Sequence, residues 1–148
     1  MYLTNKNFKF AVRLSETKII NKNRIMSFSE AIRAGLNNFF SPYGRASRSE
    51  FWWYALFLYI IGGVLGWFGG RLQFHGIEQV WLGIIFEIFS ALLGVSLVFA
   101  SIRRLHDTGK SGWNVLWYLI PLVGWIIEIV LLCKASMPGE NQYGPEPR

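Results

Sequence analysis

Three long apolar runs occupy the second two-thirds of the chain, and none carries the polar face that a water-exposed helix needs. Phe51 to Gly70 continues for twenty residues without a charge, Val80 to Ile102 holds one charge, Glu87, and Trp113 to Cys133 holds Glu128 and Pro121. A bilayer core about 30 Å thick needs about twenty helical residues at 1.5 Å each. The fold class predicted is therefore all-α, an integral membrane protein with three transmembrane helices over about 51–70, 80–102 and 113–133. Ahead of them, Phe28, Ile32, Leu36 and Phe39 recur at helical spacing, and Ser27 stands three residues before Glu30 as in a capping box. With Arg33 and Asn37 off that stripe, the segment predicts a short amphipathic helix lying on the membrane surface. Ser41-Pro42-Tyr43-Gly44 turns the chain, and Trp52, Trp53 and Tyr54 form an aromatic anchor at headgroup level. Residues 1–25, with a weak two-residue alternation at Phe8, Phe10, Val12 and Leu14, are expected to be a poorly structured basic extension of a single membrane domain over 26–148.

Composition supports the membrane assignment. Hydrophobic types make up 52% of the 148 residues and charged types 16%, which is too apolar for an ordinary soluble domain. One cysteine excludes a disulfide framework, and two histidines leave no ligand set for a metal, so no metal or cofactor is expected. The first long apolar stretch starts near position 51 and ends without a small-residue cleavage pattern, unlike a signal peptide.

The net charge of +6 is concentrated ahead of the apolar runs, where nine of the fifteen basic residues fall in the first fifty positions against three acids. The segment before the first span is rich in Lys and Arg, the loop Arg71–Gln79 has one Arg, and the loop Arg103–Gly112 has Arg103, Arg104 and Lys110. Retention of basic loops on the cytoplasmic side places the amino terminus and the second loop inside. Three full spans put the carboxyl tail outside. Pro121 and Gly124 also permit a kinked or re-entrant third run, which would return the tail to the cytoplasm and bring its residues beside the arginine motifs. Nucleic acid is not an expected partner, because the basic residues flank a membrane and no recognition module is present.

Three segments carry a resemblance. Gly44-Arg45-Ala46-Ser47-Arg48-Ser49-Glu50-Phe51-Trp52, Arg103-Arg104-Leu105-His106-Asp107-Thr108-Gly109-Lys110-Ser111-Gly112-Trp113 and Gly139-Glu140-Asn141-Gln142-Tyr143-Gly144-Pro145 are similar to the signature segments of the bacterial inner-membrane family called domain of unknown function 805. The likeness covers roughly Met26 to Pro147, and members of that family typically begin near the position of Met26. It implies a small helical protein of the bacterial plasma membrane and no activity.

Candidate sites follow from the residues. Gly62, Gly66 and Gly70 repeat every four positions and predict a packing face on the first span. Glu87 and Glu128, each placed about 8–10 Å inside the outer end of its span, are expected to form an intramembrane polar cluster with Arg71, beside His75. That cluster is either a proton or cation site or a clamp between helices. Arg45, Arg48, Arg103, Arg104, His106, Asp107 and Lys110 gather at the inner face, an anion-binding composition suited to lipid headgroups or a partner protein. His106-Asp107 also suggests a general base acting on a headgroup. A hairpin locked by salt bridges from Asp107 to Arg103 or Arg104, or from Glu50 to an arginine, accounts for the same residues without catalysis. The Gly109–Gly112 turn is not a phosphate-binding loop, since the upstream glycine is replaced by Arg104 and no strand precedes it. The reading is a non-enzymatic membrane component with membrane lipids, a homo-oligomer or a membrane protein as partner; the alternative is an oligomeric channel or proton-linked carrier.

Overall fold

The computed structural model describes residues 7–14, 25–74 and 80–147, and these residues are helical or irregular, with one isolated bridge between Asn141 and Gly144. A short helix, α1 (7–14), is exposed along its length, so part of the expected unstructured extension is helical. The rest of residues 1–24, and residues 75–79 with His75 among them, lie outside the described residues.

Helix α2, Phe28–Asn37, starts as its sequence predicts. Ser27 Oγ accepts from Glu30 N–H and the Glu30 carboxylate accepts from Ser27 N–H at 2.9 Å, which satisfies two of the amides that a helix start leaves open. Asn38 closes the other end by donating Nδ2–H to Ala34 O at 2.9 Å. The face buried against the protein is the small one, Ala31 and Gly35. A methyl group at Gly35 would lie 2.2 Å from the Tyr54 ring. Phe28 and Leu36, members of the apolar stripe, stay exposed together with Phe40.

Two helices are long and apolar enough to cross a bilayer, α3, Arg48–Phe74, and α4, Val80–Asp107. At 1.5 Å per residue each extends about 40 Å, more than the hydrocarbon core requires. They run antiparallel. Tyr54 and Ser96 share a 2.7 Å hydroxyl hydrogen bond, Gly62 faces Ser90 and Leu93, and Gly69 meets Gly83 O and Phe86. The packing glycines are thus Gly62 and Gly69, whereas an added methyl group at Gly66 or Gly70 would meet nothing within 4 Å. A seven-residue step is what two antiparallel helices crossing at a shallow angle repeat, not the four-residue step of the expected stripe. Elsewhere these helices expose Ile60, Val64, Trp67, Phe68, Leu82, Ile85, Ile88 and Phe89, a surface that lipid, not water, accommodates.

The third apolar run is not one helix. Gly112–Leu119 forms a 3-10 helix, Ile120 is extended before Pro121, as proline requires of its predecessor, Leu122 turns the chain at φ 61°, and α5 covers Val123–Cys133. Eleven residues reach about 16 Å, half of a bilayer core. Both ends of the run meet the same end of α4: Gly112 lies against Ile102 and His106, and Arg104 binds the carbonyls of Leu132 and Lys134. The run doubles back on itself, so in place of the single helix expected over 113–133 there is a helical hairpin bent at Pro121–Leu122. Gly124 allows the two arms to close, since a methyl group there would fall 1.9 Å from Trp117 O. Trp125 Nε1–H also donates to Tyr118 O across the bend at 3.1 Å.

The apolar core formed by Phe51, Tyr54, Ala55, Leu58, Ala100, Leu105 and Leu132 lies where α3, α4 and the end of α5 meet. It therefore sits at the end of the molecule that carries the arginine motifs.

Candidate functional site

Helix α4 continues through the segment expected to be a loop and ends at Asp107, so Arg103, Arg104, His106 and Asp107 occupy its last turns. Gly109, at φ +73°, then takes the left-handed conformation that ends a helix cheaply only with glycine. Asp107 is fully buried and accepts from two guanidinium groups: Arg45 reaches Oδ1 at 3.0–3.1 Å, and Arg104 bonds Oδ2. Both guanidinium groups are further engaged. Arg104 also donates to the carbonyls of Leu132 (2.9 Å), Ala46 (3.3 Å) and Lys134 and to Ser136 Oγ. Arg45 donates to the carbonyls of Met137 (2.5 Å), Gly139 (2.6 Å) and Gly144 (3.2 Å). A buried ion pair persists only where its remaining hydrogen-bonding positions are filled, and here the tail fills them.

Two further locks join the same end. Arg103 Nη1 donates to Asn38 O at 2.6 Å and Ser41 O at 3.1 Å, tying the turn after α2 to α4, with Glu50 buried nearby. The His106 ring stacks on Tyr143 at 3.7 Å and 3°, and its Nδ1 lies 3.3 Å from Gly44 O. Asn141 Nδ2–H donates to His106 O at 3.0 Å while its Oδ1 accepts from Tyr143 N–H at 2.9 Å. Met137 N–H donates to Asp107 O at 2.8 Å. Three stretches far apart in sequence, 44–50, 103–112 and 136–144, thus form one bonded plate.

A family model described as "Protein of unknown function (DUF805)" matches residues 39–145. The chain belongs to this family. Inner membrane protein YhaH of Escherichia coli (strain K12) is 39% identical over 120 residues, covering 76% of this chain and 92% of that protein. Inner membrane protein YhaI of the same strain is 33% identical over 113 residues, covering 76% and 91%. No solved structure matches. These relatives, with the two long apolar helices, make the chain an all-helical membrane protein of the DUF805 family.

The plate separates the residues expected at an anionic face into two groups. Arg45, Arg103, Arg104, His106 and Asp107 are turned inward and bonded within the protein. Arg48 and Lys110 are exposed, as are Arg33 and Lys134. Of the adjacent pair His106-Asp107, the Asp107 carboxylate is bonded by Arg45 and Arg104 and the His106 ring is stacked on Tyr143.

The expected intramembrane cluster is not assembled. Glu87 is exposed on α4, about 30 Å of helix from Asp107. Glu128 lies about 6 Å of helix from Leu132, whose carbonyl is held at the opposite end of α4. Folding the third run back puts the two acids near opposite ends of the helix pair. Arg71 sits on the last turns of α3, its guanidinium 4.9 Å from the Trp67 ring centroid. Glu128 itself is fully buried and neither carboxylate oxygen has a hydrogen-bond partner, with Tyr118 within electrostatic reach of it.

The sequence assigns no role to Asn38, Ser136 or Met137, and reads Ser41 only as part of a turn. Asn38, Ser41 and Met137 join the plate through backbone atoms, which leave no side-chain signature. Tyr143 and Asn141 were legible only as motif members.

Proposed function

We propose that this protein is a non-enzymatic component of the bacterial inner membrane whose basic end faces the cytoplasm and meets anionic lipid or an acidic partner protein. The observation that carries this reading is the division of the cations. One set is consumed in holding the plate rigid, while Arg33, Arg48, Lys110 and Lys134 project from it, exposed. Each basic residue near an anionic surface contributes about 1 kcal/mol to attraction. The excess of Lys and Arg at this end orients it inward. Helix α2, with Phe28, Leu36 and Phe40 exposed beside Arg33, then lies along the inner interface.

The test is native mass spectrometry of the detergent-extracted chain. Retained phosphatidylglycerol should exceed retained phosphatidylcholine, and changing Arg33, Arg48, Lys110 and Lys134 together to Gln should abolish the excess. Equal retention of both lipids by the unaltered chain would sink the reading.

A second reading, an oligomeric channel or proton-linked carrier, draws on Glu128, a membrane carboxyl buried without a partner. Such groups are costly in lipid and commonly serve proton or ion paths. Glu87 contributes to it from another level of the membrane. Proteoliposome flux driven by a pH gradient and lost in Glu128→Gln would support this reading; absence of flux in the unaltered protein would remove it.

A further inference from the structure

Among the four arginines of the first two motifs, Arg45 and Arg104 bond Asp107 and backbone carbonyls, and Arg103 bonds the carbonyls of Asn38 and Ser41 through Nη1 while its Nε is buried without a partner among the described residues. Arg48 is the exception, exposed and without a hydrogen bond or ion pair among the described residues. It opens α3 and lines a cleft of about 470 Å³ with Ser49, Trp52, Trp53 and Cys133, within the ~300–1,000 Å³ typical of small-ligand sites. The cleft runs between the first turns of α3 and the last turn of α5. Its walls differ in character: a guanidinium and a hydroxyl at the rim, two indoles 41% and 40% exposed further along the helix. Phe28 packs edge-on against Trp53 at 5.6 Å and fixes that wall from the side of α2.

The carbonyls ending α5 would repel an anion here, but Arg104 takes those of Leu132 and Lys134. Glu50, the nearest acid in sequence, is buried. An occupant must therefore offer an anionic group to Arg48 and an apolar body to Trp52 and Trp53. A soluble phosphate meets the first demand only.

We propose that this cleft is a binding site for one anionic phospholipid, its phosphate on Arg48 and its glycerol and upper acyl chain against Trp52, Trp53 and Cys133. The site rests on the basic-face reading above and narrows it to one residue and one groove.

Cys133 is the chain's single cysteine, so its alkylation reports occupancy. The full chain is placed in nanodiscs of phosphatidylcholine, or of equal parts phosphatidylcholine and phosphatidylglycerol, and treated with a small uncharged maleimide. Phosphatidylglycerol should slow alkylation about five-fold, the factor that corresponds to one basic contact. Arg48→Gln should restore the phosphatidylcholine rate, Arg48→Lys should retain most of the protection, and Lys9→Gln, an equal loss of charge on the exposed α1, should leave it unchanged. Protection that survives in Arg48→Gln, or falls equally in Lys9→Gln, overturns the site. Equal protection by glycerol phosphate added to phosphatidylcholine discs overturns the assignment to a lipid. If native mass spectra still show retained phosphatidylglycerol in those cases, the basic-face reading stands without this site; if none is retained, both fall.

Discussion

Asp107 holds two guanidinium groups on one fully buried carboxylate, and each guanidinium reaches on to carbonyls from other segments. Removing the negative charge leaves two cations facing each other without solvent. Asp107→Asn should therefore cost about 3–5 kcal/mol, the usual penalty for breaking a buried pair from one side. Thermal unfolding in detergent, with Lys110→Gln as an exposed control, measures it; a change within about 0.5 kcal/mol, as for an ordinary surface position, would mean that the plate is not held by this carboxylate. At this scale the sequence was informative about residue type and poor about role. Asp107 pairing with Arg104 was one of the hairpin bridges expected from the motif. That Arg45 joins the same carboxylate was not legible, because the contact depends on how the turn at Ser41–Gly44 meets the end of α4.

Among the elements, α2 and the first two spans follow from capping and hydropathy read locally, since Ser27, Glu30 and uninterrupted apolar runs act within a few residues of themselves. The third run could not be settled in that way. Its hydropathy is the same whether it crosses or returns, and Pro121 with Gly124 is compatible with either path. What decides the path is nonlocal, the capture of Leu132 and Lys134 by Arg104 and the approach of Gly124 to Trp117 O. Gly124→Ala should then destabilise the fold by about 1–3 kcal/mol, as overpacking does, because the obstacle is backbone. Gly63→Ala, on the outer face of α3 with nothing within 4 Å, should be neutral or gain up to about 1 kcal/mol from helix propensity. Unfolding curves for the two alanine variants provide the comparison; equal effects would count against a closed hairpin.

For the whole molecule, the hairpin returns the tail to the end that carries the other two motifs. A reporter joined after Arg148 should therefore read the same side of the membrane as one inserted beside Lys110, and the opposite side from one inserted after Gln79. A tail on the far side would turn the third run into a crossing and take Tyr143 away from His106. The expected matched depth of Glu87 and Glu128 depended on that crossing, and the hairpin separates the two acids along the helix pair.

The hairpin also makes the molecule unequal across the bilayer. At the motif end α3 and α4 are accompanied by the 3-10 segment and α5, whereas at the far end no other helix among the described residues accompanies them. With α3 and α4 crossing as proposed, the protein would displace more lateral area from the leaflet at the motif end than from the other, like a wedge driven from one side. Its insertion should then be easiest where that leaflet is stretched and hardest where it is compressed.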